Sequence, residues 1–309
     1  MKYCQIIDRL IEILSTGKLQ YKDTIIVGDN SSGKSDVLRQ LIENDKKETF
    51  YFIDAVNRCF DVSQILKKPE NNVQYSNEIN RYRIKEDIFN HKDSFYYNGT
   101  PKAPEDLYMN YADEIKEMMR EFLGIQFDIR LGDVGWVVDI NEEEADLSSG
   151  YQALIRIFLE IVYFVNTKKV GTIVIDEIDE FLSVANSGKI FEFLKFRFPQ
   201  LNFIVTTHSA DLIAYSNQAN LILLEGNNFE IVDSGDFSTI SQVYDVFETI
   251  LGRREKKNQK QEIDEELRRL LNNKIAGVWG KSDEQILEDI KSKEITKAQK
   301  LIIRQIEAW

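Results

Sequence analysis

The sequence has few of the residues that mark several common classes of protein. Only two cysteines, Cys4 and Cys59, occur in 309 residues, which gives neither a disulfide framework nor the spacing of a metal site. Only four prolines occur, and the apolar runs are short, so we expect no segment that spans a bilayer. These scarcities argue against a disulfide-stapled secreted domain and a membrane protein, and they fit a reducing cytoplasm.

The charge balance also limits the partners of the chain. The formal net charge is −13, and a chain this acidic is not a general binder of nucleic acid or of membrane surfaces. A local basic patch stays open as an alternative, since the run RREKK stands at 253–257. Hydrophobic residues make up 43% of the chain, which is enough to bury a sizeable core.

Apolar periodicity predicts strands that alternate with helices. The first segment is predicted to be an amphipathic helix rather than a signal peptide, because Ile6, Leu10 and Leu14 recur at helical spacing. Core strands are predicted at 24–27, 50–55, 171–176, 201–207 and 221–226, and two more strands at 125–131 and 135–140. Such alternation predicts an α/β fold with a mostly parallel sheet flanked by helices.

The pattern changes after Gly252, where a charge-rich helical stretch begins. We therefore predict a domain over residues 1–252, with a helical lobe inserted at about 61–124, and a C-terminal helical appendage over 253–309. Within the appendage, Ser282 with Gln285 and Thr296 with Gln299 have the spacing of capping boxes. Each pair predicts the start of a short helix.

A glycine-rich phosphate loop is the strongest chemical signal in the chain. The segment GDNSSGKS at 28–35 fits the pattern G-x-x-x-x-G-K-[ST] between an apolar strand and an amphipathic helix. That context disfavours the alternative of a chance turn. The backbone of such a loop cradles phosphates, while Lys34 reaches the β- and γ-phosphates and the Ser35 hydroxyl holds Mg²⁺. The predicted ligands are ATP and Mg²⁺, and the predicted binding residues are Gly28, Asn30, Ser31, Ser32, Gly33, Lys34 and Ser35.

Two carboxylates follow the apolar strand TIVI. A parallel strand would place Asp176 at the carboxyl edge of the sheet beside the phosphate loop, where it can hold the shell of Mg²⁺. Glu177 would then polarise the attacking water, a role that contributes about 10²–10⁴-fold to a rate. The alternative is a solvated strand end that leads into an acidic helix start, and the phosphate loop upstream argues against it.

Two weaker signals complete the candidate site. The turn LSSG at 147–150 precedes a helix, so Ser148 is at least an N-cap. Ser148 and Gly150 at a helix N-terminus would also suit an anion, which we expect to be a γ-phosphate held by another subunit. His208 ends the strand LNFIVTT; it is predicted either to contact the γ-phosphate or to orient the water, although a lone histidine is more often structural.

The motifs GDNSSGKS, LSSGYQ, TIVIDEID and IVTTHS, in this order within about residues 20–235, resemble those of the ABC-ATPase superfamily. The spellings LSSG and TTHSADLI are closer to the branch with RecF, the SMC proteins and the overcoming-lysogenisation-defect ATPases than to transporter ATPases. The resemblance implies that two subunits sandwich ATP head to tail and separate after hydrolysis. It also implies roles by position: Walker A for Lys34 and Ser35, Walker B for Asp176, catalytic glutamate for Glu177, signature for Ser148 and Gly150, switch histidine for His208, and an interface loop at Asp179.

The chain departs from the family pattern at several points. It opens with a helix instead of the short antiparallel sheet that helps to hold adenine. Tyr151 stands where the signature usually has Gln or Glu, and Gln64 and Gln74 are both candidates for the Q-loop glutamine. The segment between phosphate loop and signature lacks heptads, so the long coiled coil of SMC proteins is absent.

Three functions are compatible with these features. We predict a regulatory ATPase, a dimer or larger homo-oligomer that controls a protein effector docked on the appendage, in the manner of bacterial anti-phage systems. A DNA-repair or DNA-clamp ATPase is the first alternative, and it depends on the basic run at 253–257, which is more simply a solvated helix surface. A scaffold that binds ATP with little turnover is the second, and Glu177 argues against it.

Overall fold

The computed structural model describes residues 3–29, 32–54, 60–84, 95–97, 100–225, 228–237, 239–240, 242–243, 263, 266–267, 270–271, 273–274, 279–293 and 295–308. The predicted phosphate-loop residues Asn30 and Ser31 lie outside these ranges, as do Cys59 and the basic run at 253–257. Contacts divide the chain into two compact units, Met1–Leu251 and Gly252–Trp309.

The first unit contains helices between and around its strands. The helices are α1 (Tyr3–Thr16), α2 (Lys34–Glu43), α3 (Glu78–Ile84), α4 (Tyr108–Leu123), α5 (Ser149–Thr167), α6 (Val184–Arg197) and α7 (Ala210–Tyr215). The strands are β1 (Thr24–Gly28), β2 (Phe50–Asp54), β3 (Phe95–Tyr97), β4 (Thr100–Lys102), β5 (Phe127–Leu131), β6 (Trp136–Ile140), β7 (Glu143–Glu144), β8 (Gly171–Asp176), β9 (Leu201–Thr207), β10 (Asn220–Glu225) and β11 (Asn228–Asp233).

Six strands form the central sheet in the order β11-β10-β1-β9-β8-β2. All neighbours are parallel except β10 and β11, which form a terminal antiparallel pair. The predicted α/β fold with a mostly parallel sheet is therefore confirmed. The sequence pattern missed β11, which is exposed along much of its length and carries no continuous apolar run.

Side chains alternate between the two faces of this sheet, and each face has its own core. Phe52 and Val174 pack with the apolar stripes of α1 and α2, while Tyr51 and Ile173 pack with α5 on the opposite face. Both faces are covered by helices, so the strands are apolar throughout, as expected for a parallel sheet. Parallel strands also end at one edge, so Gly28, Asp54, Asp176 and Thr207 close their strands at the same edge.

Residues 60–84 and 100–144 build the remainder of the unit. The two predicted strands at 125–131 and 135–140 appear as β5 and β6 of a three-stranded antiparallel sheet, to which the unpredicted β7 adds a short third strand. The polar stretch after residue 60 is anchored by a few buried residues, among them Phe60, Ile65 and Ile79.

Three buried charges fasten α3 to α5. Arg83 donates from Nη1 to Glu160 Oε2 at 2.6 Å and to the carbonyl of Phe52 at 2.6 Å, and Arg156 contributes a second guanidinium 3.2 Å from Glu160. The side chains of Arg83 and Glu160 are both fully buried. Buried charges are tolerated when they are paired in this way, and the pairing ties the helix that begins at LSSG to the edge strand β2.

The second unit has an apolar cluster of its own, formed by Ile263, Leu267, Leu270, Leu287, Ile290, Ile303 and Ile306. It contains helices α8 (Lys281–Lys291) and α9 (Lys297–Ala308). The capping box at Thr296 and Gln299 is present, with reciprocal bonds of 2.7 and 3.2 Å. The predicted box at Ser282 and Gln285 is wrong. Helix α8 begins earlier, and the Asp283 carboxylate instead accepts the N–H of Gly280 at 2.9 Å.

No helix within the described residues combines the length and the apolar character needed to cross a membrane.

Candidate functional site

The phosphate loop connects β1 to α2 at the carboxyl edge of the sheet. Gly28 is the last residue of the buried strand β1, and α2 begins at Lys34. Between them, the N–H of Ser32 bonds the carbonyl of Asp29 at 3.0 Å, and Gly33 adopts a left-handed conformation with φ of 101°. A side chain would be strained at that φ, so the glycine is required by the turn.

Two groups of this loop suit an anion in the centre. The Lys34 side chain is buried, and its Nζ donates to the carbonyls of Gly28 at 3.0 Å and Asp29 at 3.3 Å. The Ser32 hydroxyl is also buried and has no hydrogen-bond partner among the described residues. A buried hydroxyl without a partner is uncommon and points to a group that the folded chain does not itself supply.

Gly28 is the second position at which glycine is necessary, and it supports a prediction. A Cβ at Gly28 would collide with the Ser32 hydroxyl and would lie 2.5 Å from the carbonyl oxygen of Leu224. Because one neighbour is backbone, the loop itself has to shift. We expect Gly28→Ala to lower the free energy of unfolding by about 1–3 kcal/mol and to weaken nucleotide binding. Thermal unfolding and nucleotide titration would measure both. Gly135→Ala is the matched control, because a Cβ there meets nothing within 4 Å.

The acidic strand end meets the phosphate loop directly. Ser35 donates its hydroxyl to Asp176 Oδ2 at 2.8 Å, although the two residues are 141 positions apart. Thr206, on the neighbouring strand β9, donates its hydroxyl to the other Asp176 oxygen at 2.6 Å. Burial raises the pKa of Asp176, and these two hydrogen bonds lower it. The carboxylate is thus held in one orientation, with one oxygen on the first turn of α2.

Glu177 leaves the strand in an unusual conformation. Its φ is 50°, a left-handed value that is uncommon for a residue other than glycine, and its N–H donates to the Thr206 hydroxyl at 2.7 Å. His208 Nε2 lies 3.5 Å from Glu177 Oε1, and both side chains are about three-quarters buried, with 28% and 25% exposed. Burial, followed by the charge of Asp176, raises the pKa of Glu177. The partial burial of Glu177 and its raised pKa suit a proton acceptor at the edge of the site.

The LSSG turn lies against the loop that follows Glu177. Ser148 caps α5 by accepting the N–H of Tyr151 at 3.3 Å, as predicted. A Cβ on Gly150 would come within 3.0 Å of the carbonyl oxygen of Phe181, so the first turn of α5 and this loop are packed together. The described residues show no hydrogen bond between the LSSG turn and the phosphate loop of the same chain.

The interface residue implied by the family resemblance is held within its own subunit. The Asp179 carboxylate accepts hydrogen bonds from Thr207 at 2.7 Å and from Ser187 at 3.1 Å, and burial raises its pKa. Phe181 and Val184, shortly after it, are instead exposed apolar residues at 38% and 69%. Apolar side chains of the segment that follows Glu177 therefore face solvent in the single chain.

The residues at this edge fit a magnesium–nucleotide complex. Among the described residues, no group of three or more His, Cys, Asp or Glu side chains is arranged to hold a metal ion. Mg²⁺ in phosphate-transfer sites characteristically takes only one or two carboxylates, keeps several waters, and completes its shell with substrate phosphates. The Ser35 hydroxyl and the Asp176 carboxylate, 2.8 Å apart, provide such a partial set.

Sequence reasoning missed two residues at this site. Thr206 orients both Asp176 and the backbone of Glu177. The two threonines that precede His208 are the feature of the sequence that could have indicated this role. Asp54 stands beside Asp176 in the sheet. The feature that could have indicated this is the second apolar strand that ends in aspartate, FYFID. The Q-loop candidates are not brought to the phosphate loop by any described contact; the Gln64 side chain bonds Asp61 at 2.8 Å.

The strand–loop–helix formed by β1, the phosphate loop and α2, together with the acidic end of β8 at the same edge of the sheet, gives the chain the fold of a P-loop NTPase and fits the ABC-ATPase type that the motifs predict. No family model matches the chain, and no curated protein matches it. Among solved structures, cbiO1 from Clostridium perfringens, part of the ABC transporter complex cbiONQ, is 13% identical, with a TM-score of 0.40 and coverage of 76% of this chain and 86% of that chain. The SMC head domain from Thermotoga maritima is 17% identical, with a TM-score of 0.38 and coverage of 70% and 92%. At such values these likenesses say nothing about activity.

Proposed function

We propose that this chain binds ATP and hydrolyses it to ADP and phosphate. The single observation that supports this most is the 2.8 Å hydrogen bond from Ser35 to Asp176. It joins a phosphate loop to an acidic strand end, and the two carry the hydroxyl and the carboxylate that phosphate-transfer sites use for Mg²⁺. Lys34, buried in the same loop, would then bind the β- and γ-phosphates.

The proposed reaction assigns one task to each remaining residue. A water molecule attacks the γ-phosphorus, the bond from that phosphorus to the β,γ-bridging oxygen breaks, and ADP leaves with the bonding electrons. Glu177 accepts a proton from the water, and its raised pKa brings its basicity closer to neutral pH. His208, 3.5 Å from the Glu177 carboxylate, orients that carboxylate. Bound Mg²⁺ would supply positive charge that neutralises the phosphate oxygens.

We further propose that the site is shared between two copies of the chain. Ser148 and Gly150 begin a 19-residue helix, whose N-terminus favours an anion, yet no described contact joins them to their own phosphate loop. The carbonyl of Phe181 lies against Gly150, and the exposed side chains of Phe181 and Val184 are apolar surface that a partner could cover. A head-to-tail pair would bring the LSSG turn of one copy to the γ-phosphate held by the other.

The regulatory role and the setting in anti-phage defence stay proposals based on the sequence resemblance. The appendage has its own buried cluster, and this supports a separate domain at 253–309 that could hold an effector. The DNA-clamp alternative depends on a basic run outside the described residues and is disfavoured by the net charge of −13. A scaffold with little turnover is disfavoured by the position of Glu177 beside Asp176.

Nucleotide affinity in a Lys34→Ala variant tests the proposed function. Hydrogen bonds to charged groups contribute about 1.5–3 kcal/mol. We therefore expect the affinity for ATP to fall by about 10- to 100-fold. Fluorescence titration with a labelled ATP analogue would measure it. Lys22→Ala is a matched control, because Lys22 also donates to two backbone carbonyls, those of Pro199 and Leu201. Equal affinity in the Lys34 variant and the control would contradict the phosphate-loop assignment.

A further inference from the structure

The candidate site has a direction along the edge of the sheet, and this direction fixes where the rest of a nucleotide would lie. Ser35 donates to Asp176 at 2.8 Å, and Asp176 closes β8, which lies on one side of β1 beyond β9. In phosphate-transfer sites the metal held by such a pair bridges the β- and γ-phosphates. The terminal phosphate therefore lies toward β8, and the nucleoside of a bound nucleotide extends to the other side of β1, where β10 and β11 stand.

Phe229 lies on that other side, in the same row of the sheet as the start of the phosphate loop. It is in register with Leu224, which is in turn in register with Gly28. Two strand spacings, roughly 10 Å, therefore separate the Cα atoms of Phe229 and Gly28. The ring is half-buried and packs on the sheet face that α1 and α2 cover. An aromatic ring thus stands within the length of a nucleoside from the phosphate loop.

Arg9 covers this ring from helix α1. Residues 17–23 connect the end of α1 to the first residue of β1, so α1 runs back along the sheet and its first turns lie toward the carboxyl edge. The Arg9 Cζ atom lies 5.7 Å from the centroid of the Phe229 ring, which is within the range of a cation–π contact. Arg9 is nevertheless an exposed residue. Its guanidinium is therefore supported by an aromatic ring and can also be reached from solvent.

We propose that Arg9 and Phe229 form a stacking site for the base of the bound nucleotide, with the base lying on the Arg9 guanidinium. This inference rests on the proposed function and extends it from the phosphates to the nucleobase. A planar guanidinium stacks on the faces of bases, and it also stacks on aromatic rings, which hold it in place. Stacking uses the π-face that every base has, so the site binds a purine ring without requiring hydrogen bonds to the edge of the base.

The variant Arg9→Ala tests the site in the full chain with Mg²⁺ present. Isothermal titration calorimetry would measure the affinity for a non-hydrolysable ATP analogue and for inorganic tripolyphosphate, which has no base. Loss of base stacking weakens binding by about 5- to 100-fold, so we expect that fall for the analogue and none for tripolyphosphate. Arg120→Ala is the matched control, because Arg120 is another exposed arginine on a helix of the same unit. It should bind both ligands as the wild type does.

The variant Arg9→Lys separates stacking from simple attraction between charges. Lysine keeps the positive charge but lacks the planar guanidinium, so the affinity for the analogue should fall by a factor similar to that in Arg9→Ala. Wild-type affinity in Arg9→Lys would overturn the proposal, and so would an unchanged affinity for the analogue in Arg9→Ala. An equal loss for both ligands in Arg9→Ala would overturn it too, since Arg9 would then act on the phosphates or on the phosphate loop.

The tripolyphosphate titration also separates failure of this inference from failure of the proposed function. If the wild type binds neither ligand, the phosphate-loop assignment itself is wrong. If the wild type binds both ligands and Arg9→Ala is indistinguishable from it, only the base site is wrong. Should Arg9→Ala fail to fold, Phe229→Leu removes the ring under the guanidinium and keeps an apolar side chain on the sheet. It should weaken binding of the analogue several-fold, and wild-type affinity in that variant would overturn the proposal.

Discussion

Replacing Glu177 by Gln should reduce the rate of ATP hydrolysis by about 10²–10⁴-fold while nucleotide binding is retained. The amide has nearly the shape of the carboxylate but cannot accept the proton of the attacking water. Ser35, Asp176 and Thr206, whose hydrogen bonds shape the site, are untouched. Single-turnover hydrolysis measures the rate of the chemical step, and equilibrium titration measures binding, so the two effects can be separated.

Glu180→Gln is the matched control, because Glu180 is an exposed carboxylate three residues further along the same loop. It should hydrolyse ATP at close to the wild-type rate. The wild type should also lose activity in acid, since a proton acceptor must be ionised. Burial and the charge of Asp176 raise the pKa of Glu177. As the pH is lowered, activity should therefore begin to fall at a higher pH than the one at which an ordinary glutamate becomes protonated. Hydrolysis by Glu177→Gln at a rate near that of the control would exclude Glu177 as the base.

Replacing Ser148 by Arg should abolish hydrolysis without changing the affinity of the single chain for ATP. The side chain is bulky and positively charged, and it would stand where the proposed partner subunit presents its γ-phosphate. The variant should also inhibit the wild type, because mixed dimers would contain a defective composite site. The measurement is the ATPase rate of mixtures at constant total protein, together with the rate per protomer of the wild type against its concentration.

Ser148→Ala separates the blocked interface from the lost helix cap. It removes the hydroxyl that accepts the N–H of Tyr151, at a cost of about 1 kcal/mol, but adds no bulk. It should therefore lower stability as Ser148→Arg does, and it should inhibit the wild type far less in mixtures. Activity of the Ser148→Arg mixture that equals the sum of the separate activities would show that each subunit hydrolyses ATP alone.

The parts of the fold that follow a strong apolar period were predicted from the sequence. Buried parallel strands are continuous apolar runs, so β1, β8 and β9 were found nearly at their observed limits. Where exposure or polarity hides the period, prediction failed: β11 and β7 are largely exposed. The start of α8 was misplaced because the Asp283 carboxylate accepts the N–H of Gly280, which starts the helix before the N-cap that Ser282 favours in the sequence.

The candidate site divides in the same way. The chemistry of its residues is local in sequence, since a phosphate loop needs Gly28, Gly33, Lys34 and Ser35 within eight positions. The partners that orient them come from other strands, as Thr206 does for Asp176 and Glu177. No spacing along the chain encodes that neighbourhood, because strand order in a sheet is decided by packing.

By itself the sequence determined the α/β class, the phosphate loop and the acidic strand end, because each of these depends on residues adjacent in the chain. Only the tertiary structure decided that β9 stands between β1 and β8 and that Asp54 is in register with Asp176. It also decided that the LSSG turn packs on the loop after Glu177. These contacts join segments far apart in sequence, and their geometry is fixed only when the two faces of the sheet are buried together.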